Sequence, residues 1–335
     1  MKWGERMKPI LWAKDLQKRY VIHSKGKGPL GALRRQTRVV EALKGVSFSL
    51  ESGELVGYIG PNGAGKSTTV KILSGILTPD GGQCQVMDRT PWKSRVAHVA
   101  NIGVVFGQKT QLWWDLPVGD SLRLLRDIYR VPEARYKRML DELVGRLDLE
   151  RLMDVPVRQL SLGQRMRCEL AGSLIHEPKL LFLDEPTIGL DAVTKLNVRD
   201  FIREINRDKG VTVILTTHDM DDIEALCSRV LLIGDGRLLL DGPLDALRQG
   251  QDERVLTAEL ERAADQTLGE RLPLLDCQAQ GHRVVLRFQQ ETLSAAQVID
   301  YLNRNYGVKD VTVEHLPIEQ VIARLYGRIR HGEVG

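Results

Sequence analysis

Short, uninterrupted apolar runs recur along the first two thirds of the chain, with helical periodicity between them. Leu55-Val56-Gly57-Tyr58-Ile59, Ile102-Gly103-Val104-Val105-Phe106, Lys179-Leu180-Leu181-Phe182-Leu183, Val211-Thr212-Val213-Ile214-Leu215 and Val230-Leu231-Leu232-Ile233 are all of strand length. Runs of this kind suit strands buried on both faces, and helical sequence leading into them predicts a parallel α/β sheet. Residues 121–150 hold two helical patterns, Leu122, Leu125, Ile128, Tyr129 and then Leu140, Leu143, Val144, Leu147, separated by Val131-Pro132-Glu133. A strand is expected over 8–20, ending in Lys18-Arg19-Tyr20, and the alternation of Val46-Ser47-Phe48-Ser49-Leu50 predicts a half-buried strand before the turn Ser52-Gly53. Beyond about 251 the pattern changes. Alternating segments at 255–260 and 283–288, a helix over 293–305, a strand over 308–313 and a helix over 318–326 describe a small α+β unit. The expected division is therefore a first domain over 1–247, closing near Gly242-Pro243, and a second over 248–335.

Composition changes this picture little. A chain of 335 residues with 42% hydrophobic content supports one large and one small core, and a net charge of +4 is too mild to imply nucleic acid. Cys84, Cys168, Cys227 and Cys277 are far apart and form no C-x-x-C pair, so reduced buried thiols are expected in place of a zinc site. No signal peptide is expected at the start, and no apolar run approaches the roughly 20 residues that cross a bilayer. The exception is charge patterning. His23 to Arg38 contains Lys25, Lys27, Arg34, Arg35 and Arg38 and no acidic residue, while Gly26, Gly28, Pro29 and Gly31 predict a loop with a short helical turn at 30–33. This insert, 21–38, reads either as a solvated surface loop or as a patch resting on anionic lipid headgroups.

The chemistry is concentrated at Gly60-Pro61-Asn62-Gly63-Ala64-Gly65-Lys66-Ser67-Thr68. It follows the apolar strand at 55–59 and precedes a helical stretch over 69–75 that Gly75 ends. Strand, glycine-rich turn and helix form the setting of the phosphate-binding loop G-x-x-x-x-G-K-[ST]. Its backbone N–H groups close on phosphate oxygens, and the helix N-terminus adds partial positive charge. Lys66 is placed to reach the β- and γ-phosphates and the Ser67 hydroxyl to ligate Mg²⁺, so a nucleoside triphosphate is the expected ligand.

Further motifs follow in order. Leu180-Leu181-Phe182-Leu183-Asp184-Glu185 is an apolar strand ending in two carboxylates. Asp184, beside the phosphate loop, suits a second Mg²⁺ contact, and Glu185, projecting further, suits the base that polarises an attacking water. Leu160-Ser161-Leu162-Gly163-Gln164 precedes a helix expected over 165–175, and its hydroxyl, glycine backbone and helix N-terminus make a second anion site. Two such sites in one rigid chain do not fold onto each other, which implies a second subunit.

This constellation resembles the nucleotide-binding subunit of ABC transporters. In that resemblance 60–68 is the Walker A loop, 160–164 the signature, 180–185 the Walker B strand and Ile188-Gly189-Leu190-Asp191 the D-loop. His218, after Leu215-Thr216-Thr217, matches the switch histidine, Gln108 the Q-loop glutamine and Tyr20 the aromatic residue that stacks on adenine. The resemblance implies an α/β P-loop NTPase with a RecA-like parallel sheet core, an antiparallel β subdomain and a helical subdomain over about 109–176. It implies ATP and Mg²⁺ as cofactors, with Gly60 to Thr68, Ser161, Gly163, Gln164 and Asp191 around the nucleotide and Ser67, Gln108 and Asp184 around the metal. Glu185 and His218 are the implied catalytic pair, in a homodimer that sandwiches ATP head to tail. Separate integral membrane permease subunits are the implied partners, and the cytoplasmic face of the membrane is the implied location.

Departures from the family pattern are local. Leu162 stands where glycine is commonest, leaving Ser161 and Gly163 available. Val105-Phe106-Gly107-Gln108 is one residue longer than usual, with Gln111 as the alternative glutamine, and the basic insert follows Tyr20, whose other reading is a strand-edge tyrosine. Trp113 and Trp114 either plug the helical subdomain or line the groove that receives a membrane subunit. The second domain resembles the accessory domain of type-2 exporter ATPases, which handle drugs, lipids or polysaccharides, with an importer as the alternative direction. A soluble relative acting on ribosomes or DNA is the rival, but a single cassette without heptad insertion or cysteine cluster disfavours it, and no nucleic-acid partner is expected.

Overall fold

The continuous apolar runs become the strands of a buried sheet. The computed structural model describes residues 8–25, 35–107, 109–247, 253–265 and 268–330, and the chain divides into two units, Met1–Pro243 and Leu244–Gly335. In the first unit a six-stranded sheet has the order β5 (Ile102–Phe106), β6 (Leu180–Asp184), β7 (Thr212–Thr217), β3 (Leu55–Ile59), β8 (Arg229–Gly234) and β9 (Arg237–Pro243). All neighbours are parallel except β8 and β9. Every residue of β3 and β7 is buried, which is why these strands read as unbroken hydrophobic runs. Tyr58, Phe182, Ile214 and Leu231 join Leu11, Leu43, Phe48 and Leu50 in one core, where each buried Leu or Phe contributes about 1.5–3 kcal/mol. The buried Tyr58 hydroxyl is satisfied by Thr69 at 3.0 Å.

Facing this core lies an antiparallel sheet of order β2 (Arg35–Leu50), β1 (Leu11–Lys25), β4 (Gly81–Val86). Here the structure corrects the sequence. The strand expected over 8–20 runs on to Lys25, and the one expected over 46–50 starts at Arg35. Residues 21–25 and 35–38 of the basic insert are thus paired strand, in the register Val21↔Val39, Ile22↔Arg38 and Lys25↔Arg35, and not loop. Ladder bonds overrode the local signals, because an antiparallel partner supplies what polar sequence cannot announce. The helical turn at 30–33, with Lys27 and Arg34, lies outside the described residues.

A helical layer carries α3 (Val118–Tyr129), α4 (Glu133–Leu147) and α5 (Leu162–Leu174), joined by short 3₁₀ turns at Glu150–Leu152 and Val157–Gln159. Pro132 stands at the N-cap of α4, where its missing N–H costs nothing. The remaining helices are α1 (Lys66–Leu73), α2 (Arg95–Val99), α6 (Ala192–Lys209) and α7 (Met220–Leu226). No helix among the described residues is long and apolar enough to cross a membrane.

The second unit is an antiparallel sheet of order β11 (Asp276–Gln280), β12 (Arg283–Gln289), β10 (Glu253–Leu260), β13 (Val308–His315), with α8 (Leu268–Arg271), α9 (Ala295–Tyr306) and α10 (Ile318–Arg330). Leu256, Leu286 and Phe288 pack on Val298 and Leu302 of α9, whose start is fixed by a capping box between Ser294 and Gln297.

Candidate functional site

The phosphate loop is shaped by positions where only glycine fits. A Cβ on Gly60 would lie 2.3 Å from the Ile233 carbonyl oxygen, and Gly65 holds φ +111° with the Ala42 carbonyl 2.6 Å from where a Cβ would stand. Gly65 is the N-cap of α1, which begins at Lys66 rather than at 69 and ends at Leu73. No acidic residue sits in the first turn of α1, so its positive end stays uncompensated and ready for an anion. Lys66 is 6% exposed and its Nζ donates to the Gly60 carbonyl at 2.6 Å and the Pro61 carbonyl at 3.2 Å. Burial pulls its ammonium below the ordinary lysine value, while Glu185 and Asp184 push it back up. A phosphate arriving here would give the ammonium a better partner than two carbonyls. The cavity over the loop, about 280 Å³, is lined by Ala42, Asn62, Lys66, Ser67, Thr68 and Glu185 among others.

The two carboxylates come in from the sheet. β6 and β7 run parallel with Asp184 opposite Thr216, and the Thr216 hydroxyl donates to Asp184 Oδ1. Ser67 Oγ stands 3.5 Å from that same oxygen. Glu185 leaves the strand in the left-handed region, φ 56°, anchored by its N–H to the Thr216 carbonyl at 2.8 Å. Such backbone is costly for a non-glycine residue and breaks the extended run that ends at Asp184. His218 Nδ1 lies 3.3 Å from Glu185 Oε1. A second cavity of about 400 Å³ adjoins these groups, lined by Ser67, Lys71, Gly107, Lys109, Asp184 and Glu185. Tyr20 Oη approaches Thr68 Oγ1 at 3.4 Å, so the strand hairpin brings the aromatic ring beside α1. Gln108 lies outside the described residues. Gln111, the alternative, is engaged elsewhere: its side-chain amide donates to the Glu169 carbonyl at 3.0 Å.

The signature segment is elsewhere in the same unit. α5 starts at Leu162, not at 165, so Gly163 and Gln164 belong to its first turn. Ser161 is the N-cap in a capping box, its hydroxyl accepting from Gln164 N–H at 3.2 Å while Gln164 Oε1 accepts from Ser161 N–H at 2.9 Å. Asp191 caps α6, accepting from Thr194 N–H at 3.0 Å and from its hydroxyl at 2.7 Å. The first turns of these two helices approach each other closely. A Cβ on Gly163 would meet Thr194 Cγ2 at 2.9 Å, and one on Gly189, φ +70°, would meet Leu162 Cδ2 at 2.9 Å. Leu162, where the family favours glycine, therefore packs on a glycine in the D-loop. Neither Ser161 nor Gly163 lines the phosphate-loop cavities. Trp113 and Trp114 are 37% and 49% exposed, with the Arg165 guanidinium 6.0 Å from the Trp114 ring.

Sequence reasoning missed Lys109, Lys71 and Ala42 as lining residues and Thr216 as the partner of Asp184. Thr216 had a signal, its place one residue short of the strand end before His218. Ala42 had none, because it arrives from the other sheet.

Comparison with known proteins gives the same reading. A family model described as ABC transporter matches residues 43–188. The chain is 31% identical over 214 residues to the ABC transporter ATP-binding protein NatA of Bacillus subtilis, covering 64% of this chain and 87% of that protein. It is 39% identical over 205 residues to a fluoroquinolones export ATP-binding protein of Mycobacterium tuberculosis, covering 61% and 66% respectively. A solved dimeric ATP-binding cassette in a post-hydrolysis state, bound to ADP and Pi, superposes with a TM-score of 0.59 at 26% identity, covering 70% of this chain and 98% of that one. With a phosphate loop, a paired carboxylate strand and these relatives together, the chain belongs to the ABC transporter family as an ATP-binding, ATP-hydrolysing subunit.

Proposed function

We propose that this chain is the ATPase of an exporter, working as a head-to-tail homodimer on separate membrane permease subunits at the cytoplasmic face. The observation that carries the reading is the split of phosphate chemistry within one chain. Lys66, Ser67 and Thr68 line the phosphate cavity, while Ser161, the cap of α5, and Gly163 line neither cavity beside the carboxylates. A second copy supplies the missing wall. Ser161 and Gly163 of the partner then complete each ATP site, with Gln164 and Asp191 holding the two caps in shape.

Within each site Lys66 and the N–H groups of the loop hold the phosphates, and Tyr20 stacks on the base. Ser67 and Asp184 offer a hydroxyl and a carboxylate, the hard oxygen donors Mg²⁺ takes, and Gln108 is the further candidate ligand. Bound there, Mg²⁺ would neutralise charge on the β- and γ-phosphates. Glu185 orients and polarises the attacking water, and His218, hydrogen-bonded to it, holds the carboxylate toward the γ-phosphate. Binding two ATP favours the closed dimer, and hydrolysis removes the contacts that favour it.

Export is supported by the relative named for fluoroquinolone export, and the sequence of the second unit resembles the accessory domain of type-2 exporter ATPases. Trp113 and Trp114, exposed on the helical layer, line the permease groove in this reading, and the unit over 244–335 is a dimer or regulatory element. The hairpin that carries the insert at 21–38 exposes Val21, Ile22 and Val39, which suits contact with lipid headgroups.

The test is Glu185→Gln in the full chain. It should abolish hydrolysis and leave a stable dimer in ATP, read by light scattering. A monomer at saturating ATP would refute the sandwich. Purification of the tagged chain from detergent-solubilised membranes should bring polytopic proteins, whereas ribosomes or DNA-bound proteins alone would favour the soluble rival.

A further inference from the structure

Helix α5 holds a buried carboxylate that the mechanism above does not use. Glu169 is 3% exposed, yet both its oxygens are engaged by one short stretch of chain. The Thr110 hydroxyl donates to Oε1, and the Gln111 N–H donates to Oε2 at 3.1 Å. The Gln111 side chain in turn donates to the Glu169 carbonyl at 3.0 Å. Thr110 Oγ1 also receives the Leu112 N–H at 3.1 Å, which closes the turn on itself. One helical turn further along α5, Gly172 leaves the space this turn fills. A Cβ there would meet Leu125 Cδ1 at 3.0 Å and Gln111 Nε2 and Leu112 Cδ2 at 3.4 Å. Burial pushes the Glu169 carboxyl up, and the donors from Thr110, Gln111 and Leu112 hold it down.

The ends of this stretch are what give the contact meaning. On one side Gly107 N–H donates to the Asp184 carbonyl at 2.8 Å, and a Cβ on Gly107 would lie 2.3 Å from the Glu185 carbonyl oxygen. On the other side come Trp113, whose N–H is held by Ser121 Oγ at 3.3 Å, and Trp114. Glu169 thus grips the chain between the catalytic carboxylates and the exposed tryptophans, and it does so from the helix whose first residue follows Ser161.

We infer that Glu169 is a positioning residue that fastens the segment after Gln108 to the Ser161-bearing helix, so that the two move as one body when the sandwich closes. The inference rests on the proposed sandwich. Its chemical content is specific: two acceptor oxygens on α5 against a hydroxyl and a backbone N–H of the segment they hold. Breaking the grip leaves ATP binding intact, since neither Glu169 nor Thr110 lines the phosphate cavities, but uncouples closure from the turn that approaches Glu185.

The experiment compares ATP hydrolysis by the full chain with that of three variants. Glu169→Met keeps length and helix preference but removes both acceptors; Glu169→Gln can still accept from Gln111 and donate to the Thr110 hydroxyl; Thr110→Val removes the hydroxyl from the other side. Glu169→Met and Thr110→Val should each lower kcat about tenfold with KM for ATP nearly unchanged, because displaced catalytic geometry acts on turnover. The double variant should lose no more than either alone, and Glu169→Gln should stay near the wild-type rate. A merely structural carboxylate would lower the thermal midpoint of the Met variant while its folded fraction kept the wild-type kcat. That result, or full additivity of the two losses, overturns the inference. If instead Glu185→Gln fails to dimerise in ATP, the sandwich itself falls and this inference with it, whatever the Glu169 variants do.

Discussion

Ser161 carries two loads that one pair of substitutions separates. It caps α5 through the reciprocal bonds with Gln164, and in the proposed dimer its hydroxyl also meets the partner's γ-phosphate. Ser161→Ala loses the cap, which costs about 1 kcal/mol, or about 2–4 °C in the midpoint of a unit of this size. Ser161→Asp keeps the cap, because aspartate serves at this position as well as serine and its charge suits the helix N-terminus. At the γ-phosphate the same carboxylate is ruinous. Two like charges about 4 Å apart at an effective dielectric of about 20 repel by about 4 kcal/mol, which is about a thousandfold in rate. The aspartate variant should therefore melt at the wild-type temperature yet neither dimerise in ATP nor hydrolyse it. The alanine variant should melt lower and retain the larger share of activity. Scanning calorimetry, phosphate release and light scattering on the same samples decide the matter. A thermally normal aspartate variant with wild-type turnover would refute the contact with nucleotide and leave Ser161 as a helix cap only.

Other outcomes follow from the same geometry. His176 is buried, bonded through Nε2 to the Ile102 carbonyl at 2.8 Å and stacked on Tyr129, and burial pulls its pKa down to about 4. Because the unfolded chain takes up that proton first, near pH 6.5, the stability His176 contributes is full above that pH and is lost as pH falls toward 4. The loss is about 3 kcal/mol, and denaturant titrations of wild type and His176→Phe across this window should diverge by that amount. Gly107→Ala pushes a methyl against the Glu185 carbonyl and should lower kcat by about tenfold or more, whereas an unchanged rate would mean the turn is free to shift. Replacing Trp113 and Trp114 together by alanine should spare the ATPase of the isolated chain, since both are exposed, but abolish copurification with membrane subunits. Unaltered recovery of those subunits would leave the pair as a local plug.

What could be read from residues alone is what short-range pattern encodes. β3 and β5 begin and end where their apolar runs do, because strands buried along most of their length on both faces favour residues without charge. The phosphate loop was legible for a related reason: its conformation demands glycine at fixed spacing, so chemistry and sequence coincide. The edges were not legible. β4 reads Gly-Gly-Gln-Cys-Gln-Val and is a strand only because β1 lies beside it, and the length of the hairpin came from pairing that no periodicity announces. Glu169 illustrates the limit most sharply. In sequence it is one more charged residue in an amphipathic helix, whereas in the fold it is buried under a segment 58 positions away. The Ser67–Asp184 and Tyr20–Thr68 approaches are of the same kind, separated by 117 and 48 positions. Periodicity reports how each segment meets an interior, but not which other segment forms that interior. Partner choice is set by the joint free energy of the packed whole, so it first becomes visible when the chain has folded.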